Sequence, residues 1–177
     1  MIWFLVSVLF AQGPTLTEEQ AYSKKAESYL NPFKKELMMV LKKTVETKGT
    51  IAAVNTCHLQ APKILEKHLE HLKKNQIEIG RTSDKLRNHE NAPRPWVVKY
   101  LSEFKEGQRK GPVVVEINEN RIGYLAPIGI QPLCLKCHGE KIDRKVQKII
   151  AENYPKDQAT NYKIGDFRGL FWVEMNR

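Results

Sequence analysis

Two cysteines and a histidine lie close together in the stretch "QPLCLKCHGEK", where Cys134, Cys137 and His138 have the spacing C-x-x-C-H. Three kinds of site use such a cluster. A zinc site needs a fourth ligand, and a C-x-x-C redox pair exchanges electrons between two thiols and a disulfide. A c-type haem takes two thioether bonds from the cysteines and an axial bond from the histidine. The cellular compartment is the first property that separates these alternatives.

The N-terminal segment indicates the compartment. Its thirteen residues, "MIWFLVSVLFAQG", contain no charged side chain, and ten of them form a run of apolar or small residues. Such a run is too short to span a membrane, which takes about 20 residues, but it is typical of a secretory signal. The sequence therefore predicts a signal peptide over residues 1–13, an exported, periplasmic protein, and no transmembrane segment after processing.

An exported chain sets a constraint on its cysteines. Lone thiols in an oxidising compartment tend to oxidise or to pair, and three cysteines cannot all pair within one chain. If Cys134 and Cys137 bind a cofactor, Cys57 must either be buried or act as a ligand. An isolated redox pair is a weaker interpretation, because it leaves His138 without a role.

Length and charge limit the remaining possibilities. Residues 14–177 are enough for a single domain with a sizeable core. The formal net charge is +9, but the lysines are scattered along predicted helices. A solvated helix surface is the favoured explanation, so nucleic acid is not expected as a partner. The charge can still steer acidic partners toward the protein.

The first half of the chain has a helical pattern. Apolar residues recur at four-residue steps from Phe33 to Val45, and Gly49 predicts the end of that helix. Asn31-Pro32 predicts a break before it. Thr50 and Pro62 predict the starts of two further helices, the first ending near residue 60.

Later segments alternate between apolar and polar residues, as strands do. They are "QIEIGRTS", the two halves of "PVVVEINENRIGYLAPI", which predict a hairpin, and "RGLFWVEM". Helices are predicted at residues 96–104 and 143–154. Because helices come first and antiparallel strands follow, the predicted fold class is α+β.

A second axial ligand for a haem would have to come from another segment. Cys57 and His58 lie about 50° either side of the centre of an apolar helix face. Spacing alone does not choose between them. Cys57 can instead be a small buried apolar residue, and His58 can be a histidine at the edge of the core.

Four motifs occur in order across residues 55–169: "NTCHLQAP", "IGRTSDKLRNHENAPRPW", "LCLKCHG" and "YPKDQATNYKIGDFRG". With them the chain resembles the PAS-like c-type haem domain family, long catalogued as a domain of unknown function. The resemblance implies a PAS-like antiparallel sheet flanked by helices, with a helical N-terminal region. It also implies one covalent haem c on Cys134 and Cys137, with His138 and Cys57 as axial ligands. His58, next to Cys57, departs from the family pattern and offers a competing ligand.

The predicted function follows from that ligand pair. A histidine and a thiolate leave no open iron position, which favours a redox or gas sensor or signalling module over an enzyme. Its partners would be an unidentified redox or signalling protein and a diatomic gas. One alternative is a small periplasmic electron-transfer cytochrome c. A poorer alternative is a zinc-bound structural domain that uses Cys57, Cys134, Cys137 and His138.

Arginines in the motifs are candidates to bind the haem propionates, because a guanidinium binds a carboxylate through two hydrogen bonds. Arg81 and Arg87 lie in the "GRTSDKLRNHENAP" segment, and Arg168 lies in "GDFRG". We predict that at least one of Arg81 and Arg87 holds a propionate. The alternative is that these arginines bond to backbone or to carboxylates such as Asp84 and Asp166.

Overall fold

The computed structural model describes residues 16–177, so the predicted signal peptide over residues 1–13 lies outside the described residues. The helices are α1 (Leu16–Lys73), α2 (Val98–Lys105), α3 (Leu135–His138) and α4 (Arg144–Asn153); the strands are β1 (Glu78–Thr82), β2 (Val113–Asn118), β3 (Arg121–Gly129) and β4 (Phe167–Asn176). Within residues 16–177, no helix combines the length and apolarity needed to cross a membrane.

The long element α1 consists of two helical arms that meet at Gly49. The backbone there leaves the helical region, with φ 80° and ψ 175°, a conformation that glycine adopts without a Cβ clash. The first arm (residues 16–48) and the second arm (residues 50–73) fold back on each other. Glu36 of the first arm accepts hydrogen bonds from Lys67 (3.0 Å) and His68 (2.8 Å) of the second. The predicted helix end at Gly49 is confirmed.

The predicted breaks at Asn31-Pro32 and at Pro62 are wrong, because both prolines lie inside the arms of α1. An interior proline removes one backbone hydrogen bond and normally bends or ends a helix. Here the residues beside them, Phe33 and Ala61, are buried in the main core. Packing of the helix face against the sheet outweighs the local preference, as is usual for helices in folded proteins.

The four strands form one antiparallel sheet in the order β1-β4-β3-β2. Strands β2 and β3 form the predicted hairpin, and β4 lies between β1 and β3. Because side chains alternate across a strand, Tyr124 and Val173 face α1 while Leu125 and Trp172 face α2. The predicted α+β class, with helices on an antiparallel sheet and a helical N-terminal region, is confirmed and is consistent with a PAS-like fold.

Candidate functional site

An apolar cavity lies between the bend of α1, the ends of β1 and β3, and the turn that carries C-x-x-C-H. It contains about 1290 Å³ of space between atoms, its open mouth included. Apolar side chains from α1, β3 and the following turn line it together with the predicted ligands: Leu37, Leu41, Val54, Ile128, Ile130, Leu133, Cys57, Cys134, Cys137 and His138. Segments that are far apart in the sequence thus meet at one site.

The C-x-x-C-H motif forms a short helical turn. A 3₁₀ turn at Pro132–Cys134 leads into α3, which ends at His138. Residues three and four apart share one side of a helix, so Cys134 lies on the same side as Cys137 and His138. Both cysteines are half-buried, and burial raises the pKa of the Cys137 thiol to about 11.

His138 is held in one tautomer. Its Nδ1 lies 2.7 Å from the carbonyl oxygen of Ala159. Because a carbonyl can only accept, Nδ1 carries the proton and Nε2 keeps its lone pair. Burial, and then the positive charges of Arg87 and Arg168, hold the pKa of His138 well below its usual value. A neutral histidine with one nitrogen tied to a carbonyl is the usual form of a metal-binding imidazole.

The structure separates Cys57 from His58. Cys57 lines the cavity from the second arm of α1. Burial raises the pKa of its thiol, and the charges of Arg81 and Arg87 act in the opposite direction. His58 is exposed, and its ring packs edge-on against Tyr154 with centroids 5.1 Å apart. The geometry therefore favours Cys57 as the residue available to a ligand in the cavity.

Arg81 reaches the cavity from β1 without a partner of its own. Among residues 16–177, its guanidinium makes no hydrogen bond or ion pair. Burial lowers its pKa, while Cys57 and Tyr154 act against that shift. The hydroxyl of the next residue, Thr82, is buried with no hydrogen-bond partner in the described residues, but side chains alternate along β1, so it lies on the α2 face of the sheet, away from Arg81. Charged groups inside proteins are normally paired, so the guanidinium of Arg81 is available to a ligand with acceptor oxygens.

Arg87 is already engaged. Its Nε and Nη2 lie 3.1 and 3.0 Å from the two carboxylate oxygens of Asp157. Nη2 also donates to the carbonyl oxygens of Cys137 (2.6 Å) and Ala159 (3.1 Å). The prediction that Arg81 or Arg87 holds a propionate stays a prediction, but the geometry leaves Arg81 as the freer of the two.

Asp157 was not predicted as a site residue. Asp84 and Asp166, the carboxylates suggested from the sequence, have other partners: Asp84 pairs with Lys105 at 2.8 Å, and Asp166 accepts from the backbone of Lys163 at 2.7 Å. The available signal was the position of Asp157 in "YPKDQATNY", one of the motifs that carry the family resemblance.

Arg168 is a further cation at the cavity. Its Nη1 donates to the carbonyl oxygen of Lys85 at 3.1 Å, and its guanidinium lies 5.5 Å from the centre of the Tyr162 ring. Burial is the main cause of its lowered pKa. Arg81 and Arg168 thus bring positive charge to a cavity whose other lining is mostly apolar.

The zinc alternative receives no support from the geometry. Within the described part of the chain, no three side chains of His, Cys, Asp and Glu lie close enough to share a metal ion. Four such ligands would have to converge for a structural zinc site.

Two comparisons place the chain among known proteins. The crystal structure of the cyanobacterial heme-protein Tll0287 has the same fold, with a TM-score of 0.65 and 21% sequence identity; the likeness covers 89% of this chain and 96% of that one. The chain matches none of the curated proteins with which it was compared. A model of the Tll0287-like family (Tll0287) matches residues 15–176. Because that match spans nearly the whole sequence, the chain belongs to the Tll0287-like family.

Proposed function

We propose that this protein binds one haem c, attached to Cys134 and Cys137, with His138 and Cys57 as its axial ligands. The observation that carries the proposal is the tie between His138 Nδ1 and Ala159, which leaves Nε2 free in an apolar cavity that all three cysteines line. The fold is shared with a cyanobacterial heme-protein, which supports the same proposal.

The other residues of the cavity fit such a group. Leu37, Leu41 and Val54 offer apolar contacts to a macrocycle, and the unpartnered guanidinium of Arg81 offers a counter-charge to a propionate. A bound haem would supply a redox-active iron to this site, and its potential would depend on the axial ligands.

The proposed role is a redox or gas sensor, rather than an enzyme. A thiolate favours the ferric state, and a second axial residue leaves no vacant position for a substrate. A diatomic gas would therefore have to displace Cys57. Cys57 lies on the second arm of α1, eight residues after the bend at Gly49. Release of Cys57 from the iron would therefore first change the position of the two arms of α1.

Export and partners belong to the same proposal. The apolar N-terminal segment supports a periplasmic protein, the compartment in which bacterial c-type haem is attached. The partner would be a redox or signalling protein. The positive net charge favours an acidic one by steering.

The test is to express the full chain in a host that matures c-type cytochromes and to extract it with acid acetone. The colour should stay with the protein, and in the double variant Cys134→Ala, Cys137→Ala it should pass into the acetone. A wild-type protein that releases its haem, or that contains zinc instead, would overturn the attachment. Fast reversible reduction with no change of axial ligand would favour the electron-transfer cytochrome over the sensor.

A further inference from the structure

Arg87 and Asp157 form a buried ion pair beside the C-x-x-C-H turn. Two parallel contacts of 3.1 and 3.0 Å join the guanidinium to the carboxylate, and the two side chains are only 11% and 8% exposed. A buried pair of this kind is weak support for stability, because the loss of hydration offsets most of the attraction. Its bonding suggests a geometric role instead.

The ion pair forms hydrogen bonds with both the N–H and the carbonyl oxygen of Ala159. Asp157 accepts a hydrogen bond from the N–H of Ala159 at 2.8 Å, and Arg87 donates to its carbonyl oxygen at 3.1 Å. Ala159 is fully buried. The same carbonyl oxygen accepts the Nδ1 proton of His138. The acceptor that orients His138 is therefore itself fixed by Arg87 and Asp157.

Arg87 also binds the turn that carries the histidine. Its Nη2 lies 2.6 Å from the carbonyl oxygen of Cys137. That carbonyl is at the C-terminal end of α3, where the helix provides no N–H of its own. One guanidinium thus connects the C-x-x-C-H turn to the segment that carries Ala159.

We infer that Arg87, supported by Asp157, is a positioning residue for His138: it fixes the carbonyl that ties Nδ1 and so keeps Nε2 available to the cavity. The importance of this orientation of His138 for iron binding rests on the proposed function. The hydrogen bonds around His138 do not depend on it. Arginine is required because only a planar fork can serve the carboxylate and the two carbonyls together. This role differs from binding a propionate.

The experiment measures how fast the Nδ1 proton of His138 exchanges with solvent, by NMR on the full chain as purified and reduced. In wild-type protein this proton should be protected. In Arg87→Lys and in Asp157→Asn its exchange should be faster by about tenfold or more, because the weakened hydrogen bond to Ala159 opens more often. Arg94→Lys is the matched control, because Arg94 is also an ion-paired arginine, bound to Glu78 and Glu174, but does not line the cavity.

The backbone amide of Val173, buried in the central strand β4, reports on global unfolding in the same samples. The inference is wrong if a folded Arg87→Lys variant keeps the wild-type exchange at His138, as a propionate role predicts. It is also wrong if His138 and Val173 accelerate by the same factor. If Arg87→Lys does not fold, Asp157→Asn provides the test, because the asparagine side-chain oxygen can still accept a hydrogen bond from the N–H of Ala159. A purified chain without haem would refute the proposed function, while the His138 proton would still test Arg87.

Discussion

Cys57 and His58 are neighbours in the chain, but only Cys57 lines the cavity that His138 shares. His58 is exposed and packs its ring against Tyr154. Adjacent residues on a helix point about 100° apart, so the second arm of α1 presents one of them to the cavity and turns the other toward α4. This relationship provides the most direct test of the proposed ligand pair.

Replacing Cys57 by alanine should change the ferric low-spin absorption spectrum, raise the midpoint potential and allow carbon monoxide to bind the reduced protein. The reason is that alanine would remove the proposed anionic ligand, and a thiolate stabilises ferric iron. The same measurements on His58→Ala are the control and should match the wild type. If His58→Ala gives the large changes and Cys57→Ala does not, the protein is a bis-histidine cytochrome and the sensor proposal fails.

Replacing Arg81 by methionine should have opposite effects on the haem-free and haem-loaded protein. Without haem, the change removes a cation that has no partner in the described residues, so the free energy of unfolding in urea should rise, by about 1–3 kcal/mol. With haem bound, the loss of a propionate partner should lower the free energy of unfolding. Arg94→Met, which breaks ion pairs with Glu78 and Glu174, should lower stability in both forms. A haem-loaded Arg81→Met protein that is no less stable than the haem-loaded wild type would contradict the propionate role. A drop without haem would show instead that Arg81 stabilises the fold itself.

Gly169 tests how tightly β4 packs beside the site. Its φ is +150°, and a Cβ at this position would overlap the carbonyl oxygen of Thr82. Gly169→Ala should therefore lower the free energy of unfolding by about 2–3 kcal/mol, the upper range for a strained backbone position. Gly111→Ala is the control, because a Cβ there meets no atom within 4 Å and φ is ordinary; its effect should stay within about 0.5 kcal/mol. Equal effects would contradict the observed packing.

Tyr124 should make stability fall at high pH. Burial in the main core is the first cause of its raised pKa, and the hydrogen bond of its hydroxyl to Glu27 at 3.1 Å is the second. An unfolded tyrosine ionises near about pH 10. The stability that protonated Tyr124 contributes is complete below that pH, and it is lost as the pH rises toward the pKa of Tyr124 in the folded protein. Thermal melts of Tyr124→Phe should lack this alkaline decline. Glu27→Gln should reduce the alkaline decline less, because Tyr124 remains buried. An unchanged decline in Tyr124→Phe would show that another group causes it.

Local features of the site were predictable from the sequence. Cys134, Cys137 and His138 stand out by their spacing alone, although the helical turn that puts them on one side was not predicted. The alternation that predicted β3 and β4 is a local property, and so is the helix end at Gly49, whose backbone conformation suits glycine. The predictions of β3, β4 and Gly49 depend on short-range geometry, and the structure confirms them.

Tertiary structure decided everything that depends on which distant segments meet. Pro32 and Pro62 remain inside helices because the sheet buries the residues beside them. Cys57 turns toward the cavity because the rest of its helix face packs against the neighbouring elements, which fixes the rotation of the helix. The bond between Arg87 and Asp157 joins residues 70 positions apart. The spacing of residues along the chain does not predict such contacts, because they form only when hydrophobic burial brings the segments together.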